Sequence, residues 1–137
     1  SDEAIHFLLT WTRTHTYYTQ TLCNHLYASS LKRIQEEDVR NICSDLLSSQ
    51  QATYIQYRRL LSPVQWQLLI AIAKEERVFQ PQSKAFLAKY KIGTPANSKR
   101  ALEALLDKEM IFKEEDLRNS WYQVYDVFLS RWLQLTF

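Results

Sequence analysis

Ser83-Lys84-Ala85-Phe86-Leu87-Ala88-Lys89-Tyr90-Lys91-Ile92-Gly93-Thr94-Pro95-Ala96-Asn97-Ser98 is the stretch on which the fold turns. Phe86, Leu87 and Tyr90 recur at helical spacing after Ser83 and predict a short helix over 83–90. Lys91-Ile92-Gly93 follows and holds the chain's only glycine, the residue that most readily ends a helix in a left-handed conformation. Thr94-Pro95 then reads as a new helix start. The threonine hydroxyl can cap free backbone amides, and proline suits the first helical position because its missing N–H would have had no partner there. This second helix is expected to reach about Lys108, so two helices meet across a tight turn.

Working outward, Ser62-Pro63-Val64-Gln65 repeats the serine-plus-proline start and adds a glutamine three residues on, a capping box. The helix it opens runs to about Glu76, with Trp66, Leu69, Ile70 and Ala73 on one face. On the other side, Met110 to Lys113 and Trp121 to Tyr125 read as strands joined by the polar tip Glu114 to Ser120. Asp126 caps a last helix that turns Phe128, Leu129, Trp132 and Leu133 inward. Helix, helix, turn, helix, hairpin, helix is the order of a winged helix-turn-helix domain, expected over residues 62–137.

Upstream, Asp2 to Trp11 predicts a helix with Asp2 as its cap. Thr12-Arg13-Thr14-His15-Thr16 breaks it, because these side chains compete for backbone hydrogen bonds. A second helix is expected from about Tyr17 to Tyr27. A third opens at Gln35, with Glu36, Glu37 and Asp38 where the helix dipole favours carboxylates and a stripe of Val39, Ile42, Cys43, Leu46 and Leu47. Ser48 to Gln51 interrupts the pattern before Tyr54, Tyr57, Leu60 and Leu61. Residues 1–61 are thus expected to form a helical subdomain, with the boundary at Leu61/Ser62. The fold class is mainly α with a small β-hairpin: a helical bundle followed by a winged helix-turn-helix domain.

The composition agrees. With 137 residues, 46% hydrophobic and 23% charged, the chain can build one ordinary domain or two small ones. One glycine and three prolines are too few for a loop-rich or all-β protein. The longest apolar run, Leu68 to Ala73, is far short of the ~20 residues a membrane helix needs, and no membrane partner is expected. Two cysteines, Cys23 and Cys43, fit a reducing compartment, and the expected localisation is cytoplasmic. The only methionine is Met110, so the chain is expected to be processed or cut from something longer.

No constellation for catalysis is present. Cys23, His25, His6, His15 and Cys43 are the soft metal-ligand candidates, but no paired spacing joins them, so neither a metal site nor a cysteine nucleophile is expected. A phosphate-binding loop needs several glycines ahead of Lys-Ser/Thr, and the chain has one glycine in all. Nucleic acid is the other classical use of the fold. From Arg77 to Arg100 there are six basic residues and no acidic one. With Ser98, Leu102, Leu105 and Leu106 inward, Asn97 and Arg100 face outward near the helix start, where they could read base edges, with Lys84 and Lys99 beside phosphate. Glu103 and Asp107 share that outward face, and Glu114, Glu115 and Asp116 occupy the wing tip. These carboxylates and a net charge of +2 oppose duplex binding.

Several segments resemble one family. Leu61-Ser62-Pro63-Val64-Gln65-Trp66 to Ala71-Ile72-Ala73-Lys74-Glu75, Gly93-Thr94-Pro95-Ala96-Asn97-Ser98-Lys99-Arg100-Ala101-Leu102, and Tyr125-Asp126-Val127-Phe128 with Arg131-Trp132-Leu133 look like the C-terminal winged helix of AAA+-like P-loop ATPases of the archaeal and bacterial STAND type. His15-Thr16-Tyr17-Tyr18 is similar to a Gly-His-Pro-Tyr-Tyr segment of that family's helical lid, with Thr14 and Thr16 in place of Gly and Pro. The resemblance implies a lid and winged helix without the catalytic core: a non-catalytic module that relays nucleotide state or docks a partner. The partner would be its own ATPase core, another protein, or DNA. ATP and magnesium would belong to the full-length parent. His15, Tyr17 and Tyr18 would face the nucleotide there; read from the residues alone, the favoured reading is a helix start with capping threonines followed by aromatic core.

Overall fold

The computed structural model describes residues 1–137, and they fall into two compact units, Ser1–Ala52 and Thr53–Phe137. The first contains α1 (Asp2–Trp11), α2 (Thr16–Ala28) and α3 (Glu36–Ser49). α3 packs on both α1 and α2. Its stripe is buried at Val39, Cys43, Leu46 and Leu47, against Ala4 and Leu8 of α1 and Leu22 and Leu26 of α2 within the same unit. The cap of α1 is Ser1 rather than Asp2: the Ser1 hydroxyl accepts from the Ala4 amide at 3.2 Å, which leaves Asp2 inside the first turn. At the end of α1, Thr12 is fully buried, its hydroxyl 2.9 Å from the Leu8 carbonyl and 2.8 Å from the Thr19 hydroxyl. Arg13 and Thr14 then turn the chain in the left-handed region.

α4 (Gln51–Leu60) begins at the division between the units. The division lies nine residues before the expected boundary at Leu61/Ser62, so α4 belongs mostly with the second unit. The physical link is Tyr54, which is buried with its ring centroid 5.3 Å from that of Trp132.

The second unit continues with α5 (Pro63–Glu75), α6 (Lys84–Tyr90), α7 (Pro95–Asp107), a hairpin of β1 (Ile111–Glu115) and β2 (Ser120–Val124), and α8 (Val127–Thr136). Each start signal works as its chemistry requires. The Ser62 hydroxyl accepts from the Gln65 amide and the Gln65 side chain accepts from the Ser62 amide, at 3.2 and 3.1 Å. Thr94 and Asp126 cap α7 and α8. α5 is the hub and packs on α7, α8 and β2, with every residue from Leu68 to Ala73 buried. α6 ends at Tyr90 as expected, but Lys91, two residues before the glycine, holds the left-handed cap position at φ 55°, and Gly93 takes a second positive φ of 99°.

The strands pair antiparallel with Lys113 opposite Tyr122. β1 runs past its expected end at Lys113 to include Glu114 and Glu115, because backbone pairing continues beyond the core without apolar side chains, whereas β2 begins at Ser120 and stops at Val124, one residue short of Tyr125. Val78 forms a bridge to the other side of β2 at Tyr122, a one-residue strand with no periodicity to announce it. No helix is long and apolar enough to cross a membrane.

Candidate functional site

α7 is the second helix of the helix-turn-helix. Its buried face is Ser98, Ala101, Leu102 and Leu105, with Leu106 half-buried. Ser98 is satisfied there, its hydroxyl donating to the Pro81 carbonyl at 2.9 Å. The opposite face is exposed at Asn97, Lys99, Arg100, Glu103 and Asp107, as the helical wheel requires. The face therefore changes sign along its length, from two cations in the first half to two carboxylates in the second.

The basic stretch divides by partner. Lys84, Lys99 and Arg100 are exposed and make no ion pair. Lys89 is engaged: its ammonium lies 2.9 Å from Glu75 Oε1, which also accepts from the Tyr90 hydroxyl at 2.5 Å. Those two bonds, Tyr90 first, hold the Glu75 carboxyl below its ordinary pKa against the opposing pull of desolvation. Burial, reinforced by the Glu75 charge, pushes the Tyr90 phenol up. Arg77 lies over the Trp121 ring at 4.6 Å. Lys84 opens α6 and Asn97, Lys99 and Arg100 lie in the first half of α7, so the four predicted contact residues belong to the two helices that meet at the turn.

At the wing tip, Asp116 Oδ1 accepts from the amides of Arg118 and Asn119 at 2.9 and 2.7 Å. These amides, Arg118 first, lower the Asp116 pKa. Glu114, Glu115 and Asp116 are all exposed, and Leu117 is fully exposed between them and Arg118. Lys113 reaches Glu115 at 3.7 Å.

His15, Tyr17 and Tyr18 come together at the start of α2 in the first unit. The Tyr18 ring lies edge-on to His15 at 5.0 Å and to Tyr17 at 5.1 Å. His15 occupies the cap position without a side-chain cap bond, and Tyr17 stays 63% exposed, so only Tyr18 partly enters the core.

Spacing gave no sign of a polar network behind the wing. The chain makes a three-residue turn at Glu76, φ 65° and ψ −51°, with the Arg77 amide bonded to the Glu75 carbonyl at 2.7 Å. This is a strained conformation for a residue with a side chain. Its carboxylate binds Arg131 at 2.6 Å and Gln134 at 3.0 Å and lies 3.5 Å from the Gln123 amide. Gln123 in turn accepts from the Trp121 indole at 3.0 Å. The three residues that contact the Glu76 carboxylate lie 47 to 58 residues from it in sequence, and no local motif could have linked them.

Two grooves mark this unit. One of about 500 Å³ lies among Tyr57, Leu60, Leu61, Met110, Tyr125 and Leu129, and another of about 350 Å³ includes Phe79, Phe86 and Lys89. No cluster of three His, Cys, Asp or Glu side chains is placed to hold a metal ion.

Residues 52–135 match the family described as "Probable winged helix domain". No curated protein and no solved structure matches the chain. The family match covers more than half of the sequence and spans α5 through the hairpin to α8, and the chain belongs to that winged-helix family.

Proposed function

We propose that the chain is a non-catalytic interaction module whose winged helix docks a protein partner. The observation that carries this is the sign of the exposed surface: Glu103 and Asp107 on α7, followed by Glu114, Glu115 and Asp116 on the wing, are all exposed where a duplex-binding winged helix would meet phosphate. The resemblance of its segments to AAA+-like ATPases adds a setting. In that setting the module is a lid and winged helix that relays the nucleotide state of a separate core. ATP and magnesium are held by that core, with His15, Tyr17 and Tyr18 turned toward the nucleotide. The pure chain is then expected neither to bind ATP tightly nor to hydrolyse it.

A second reading has one observation in its favour. Lys84, Lys99 and Arg100 are exposed without ion-pair partners, beside Asn97 at the start of α7, so the same unit could tether a larger protein to DNA. Titration of fluorescent duplexes at several salt concentrations separates the two. Protein docking expects duplex affinity no better than the non-specific range, Kd roughly 10⁻⁴ to 10⁻⁶ M at physiological salt. Nanomolar, sequence-selective binding would overturn it in favour of DNA tethering. Arg100→Ala should then lose about 1–3 kcal/mol, and Lys84→Ala and Lys99→Ala should weaken all sequences alike.

A further inference from the structure

β2 is paired on both sides, to β1 and to Val78, whereas β1 is paired on one side only. The bonds fix which groups of β1 look outward. Tyr122 gives both its backbone groups to Val78, at 3.0 and 2.9 Å, so it turns none toward Lys113. Tyr125 bonds Met110 and Asp116 bonds Asn119 across the hairpin, both at 2.9 Å. Backbone polarity alternates along a strand, so Phe112 and Glu114 address β2, while Lys113 and Glu115 point their N–H and C=O away from the sheet. The Glu115 amide is taken by the Glu114 side chain at 3.2 Å. The exposed residues Lys113 and Glu115 thus present one unpaired N–H and two unpaired C=O groups, an edge of the kind that accepts another strand.

The side chains along this edge select its occupant. A second copy of the chain pairing antiparallel about Lys113 would set Lys113 against itself and Phe112 against Glu114, which is unfavourable across strands. A segment carrying basic residues opposite Glu115 and Glu114, a threonine opposite Lys113 and a β-branched residue opposite Phe112 matches every position. We propose that the outer edge of β1 takes an extended basic segment of a partner protein as an added antiparallel strand. This rests on the protein-docking reading and names the chemistry of the partner segment.

The test uses the full chain and a fluorescein-labelled peptide, Thr-Lys-Lys-Thr-Val-Thr, written so that its two lysines meet Glu115 and Glu114. A second peptide is identical but N-methylated at the central threonine, which keeps every charge and removes the N–H meant for the Lys113 carbonyl. Binding of the first peptide, slowed exchange of the Lys113 amide, and a loss of at least about tenfold on N-methylation are expected. Lys113→Pro, tolerated on an edge whose N–H faces solvent, should lose as much, and Glu114→Lys with Glu115→Lys should also weaken binding. Failure of the first peptide to bind, or self-association through β1 instead, overturns the proposal. So does equal binding of the two peptides, which would leave only charge attraction. The N-methylated control decides the matter even if Lys113→Pro does not fold. None of these outcomes bears on whether duplex DNA is bound, so the edge can fail while protein docking stands.

Discussion

Trp132 offers the sharpest test of how the second unit is held together. It is 4% exposed on α8, with ring centroids 5.3 Å from Tyr54, 6.4 Å from Trp66 and 5.8 Å from Phe137. A tryptophan so enclosed removes roughly 200 Å² from water, worth about 5 kcal/mol at ~25 cal/mol per Å². The unfolded chain already buries part of that area, and alanine keeps the Cβ, which lowers the figure. The void left among three rings raises it again, giving a net cost of about 3–5 kcal/mol for Trp132→Ala. Against a stability of ~5–15 kcal/mol that is a large fraction of the total. Urea unfolding followed by far-ultraviolet circular dichroism measures it without relying on the deleted fluorophore. Trp132→Phe, which keeps a ring in the site, should fall between wild type and alanine and serves if the alanine variant does not fold. A loss below about 1 kcal/mol with an unchanged denaturant slope would refute the packing described here.

Trp66→Ala should cost a similar about 3–5 kcal/mol, and because the two rings are neighbours the double variant should lose less than the sum, read in the same urea experiment. Glu75 has a folded pKa below its ordinary 4.5, so its stabilisation is present above the unfolded value and is lost as pH falls through the lower folded one. Thermal unfolding across the acid range should therefore show a shallower loss for Glu75→Gln than for wild type. Gly93→Ala should cost about 1–2 kcal/mol purely through its φ of 99°, since a Cβ there meets nothing closer than 3.9 Å. Lys91→Gly should do the reverse and stabilise by about 1 kcal/mol, its φ of 55° being left-handed; calorimetry on both variants checks the pair.

What was legible in the sequence is what local chemistry determines. Serine or threonine followed by proline fixed the starts of α5 and α7, because capping and the missing proline N–H act within one turn. The stripe of α3 and the outward set Asn97, Arg100, Glu103 and Asp107 followed from helical period alone. The wheel still omitted Ala101 from the buried face, a residue too small to register in an apolar pattern. What escaped was non-local. Tyr54 reads as the start of a new apolar face, and its contact with Trp132, distant in sequence, helps tie α4 to the winged-helix unit. Lys89 looks like one of six equivalent cations until Glu75, 14 residues away, claims it. Gly93 drew attention as the helix stop, yet Lys91 carries that backbone position, because the fold imposes the left-handed turn whichever residue arrives there.

The turn at Glu76 has a consequence for how this sequence can change over evolution. A left-handed residue at that point would ordinarily be glycine, and the glutamate is held there by Arg131 and Gln134 on its carboxylate. Losing Arg131 alone strands a half-buried charge on a strained backbone, whereas losing both residues together lets glycine relax the turn. Positions 76 and 131 are therefore expected to change as a pair among relatives, either as glutamate with arginine or as glycine without it. Lineages caught between the two states should be rare.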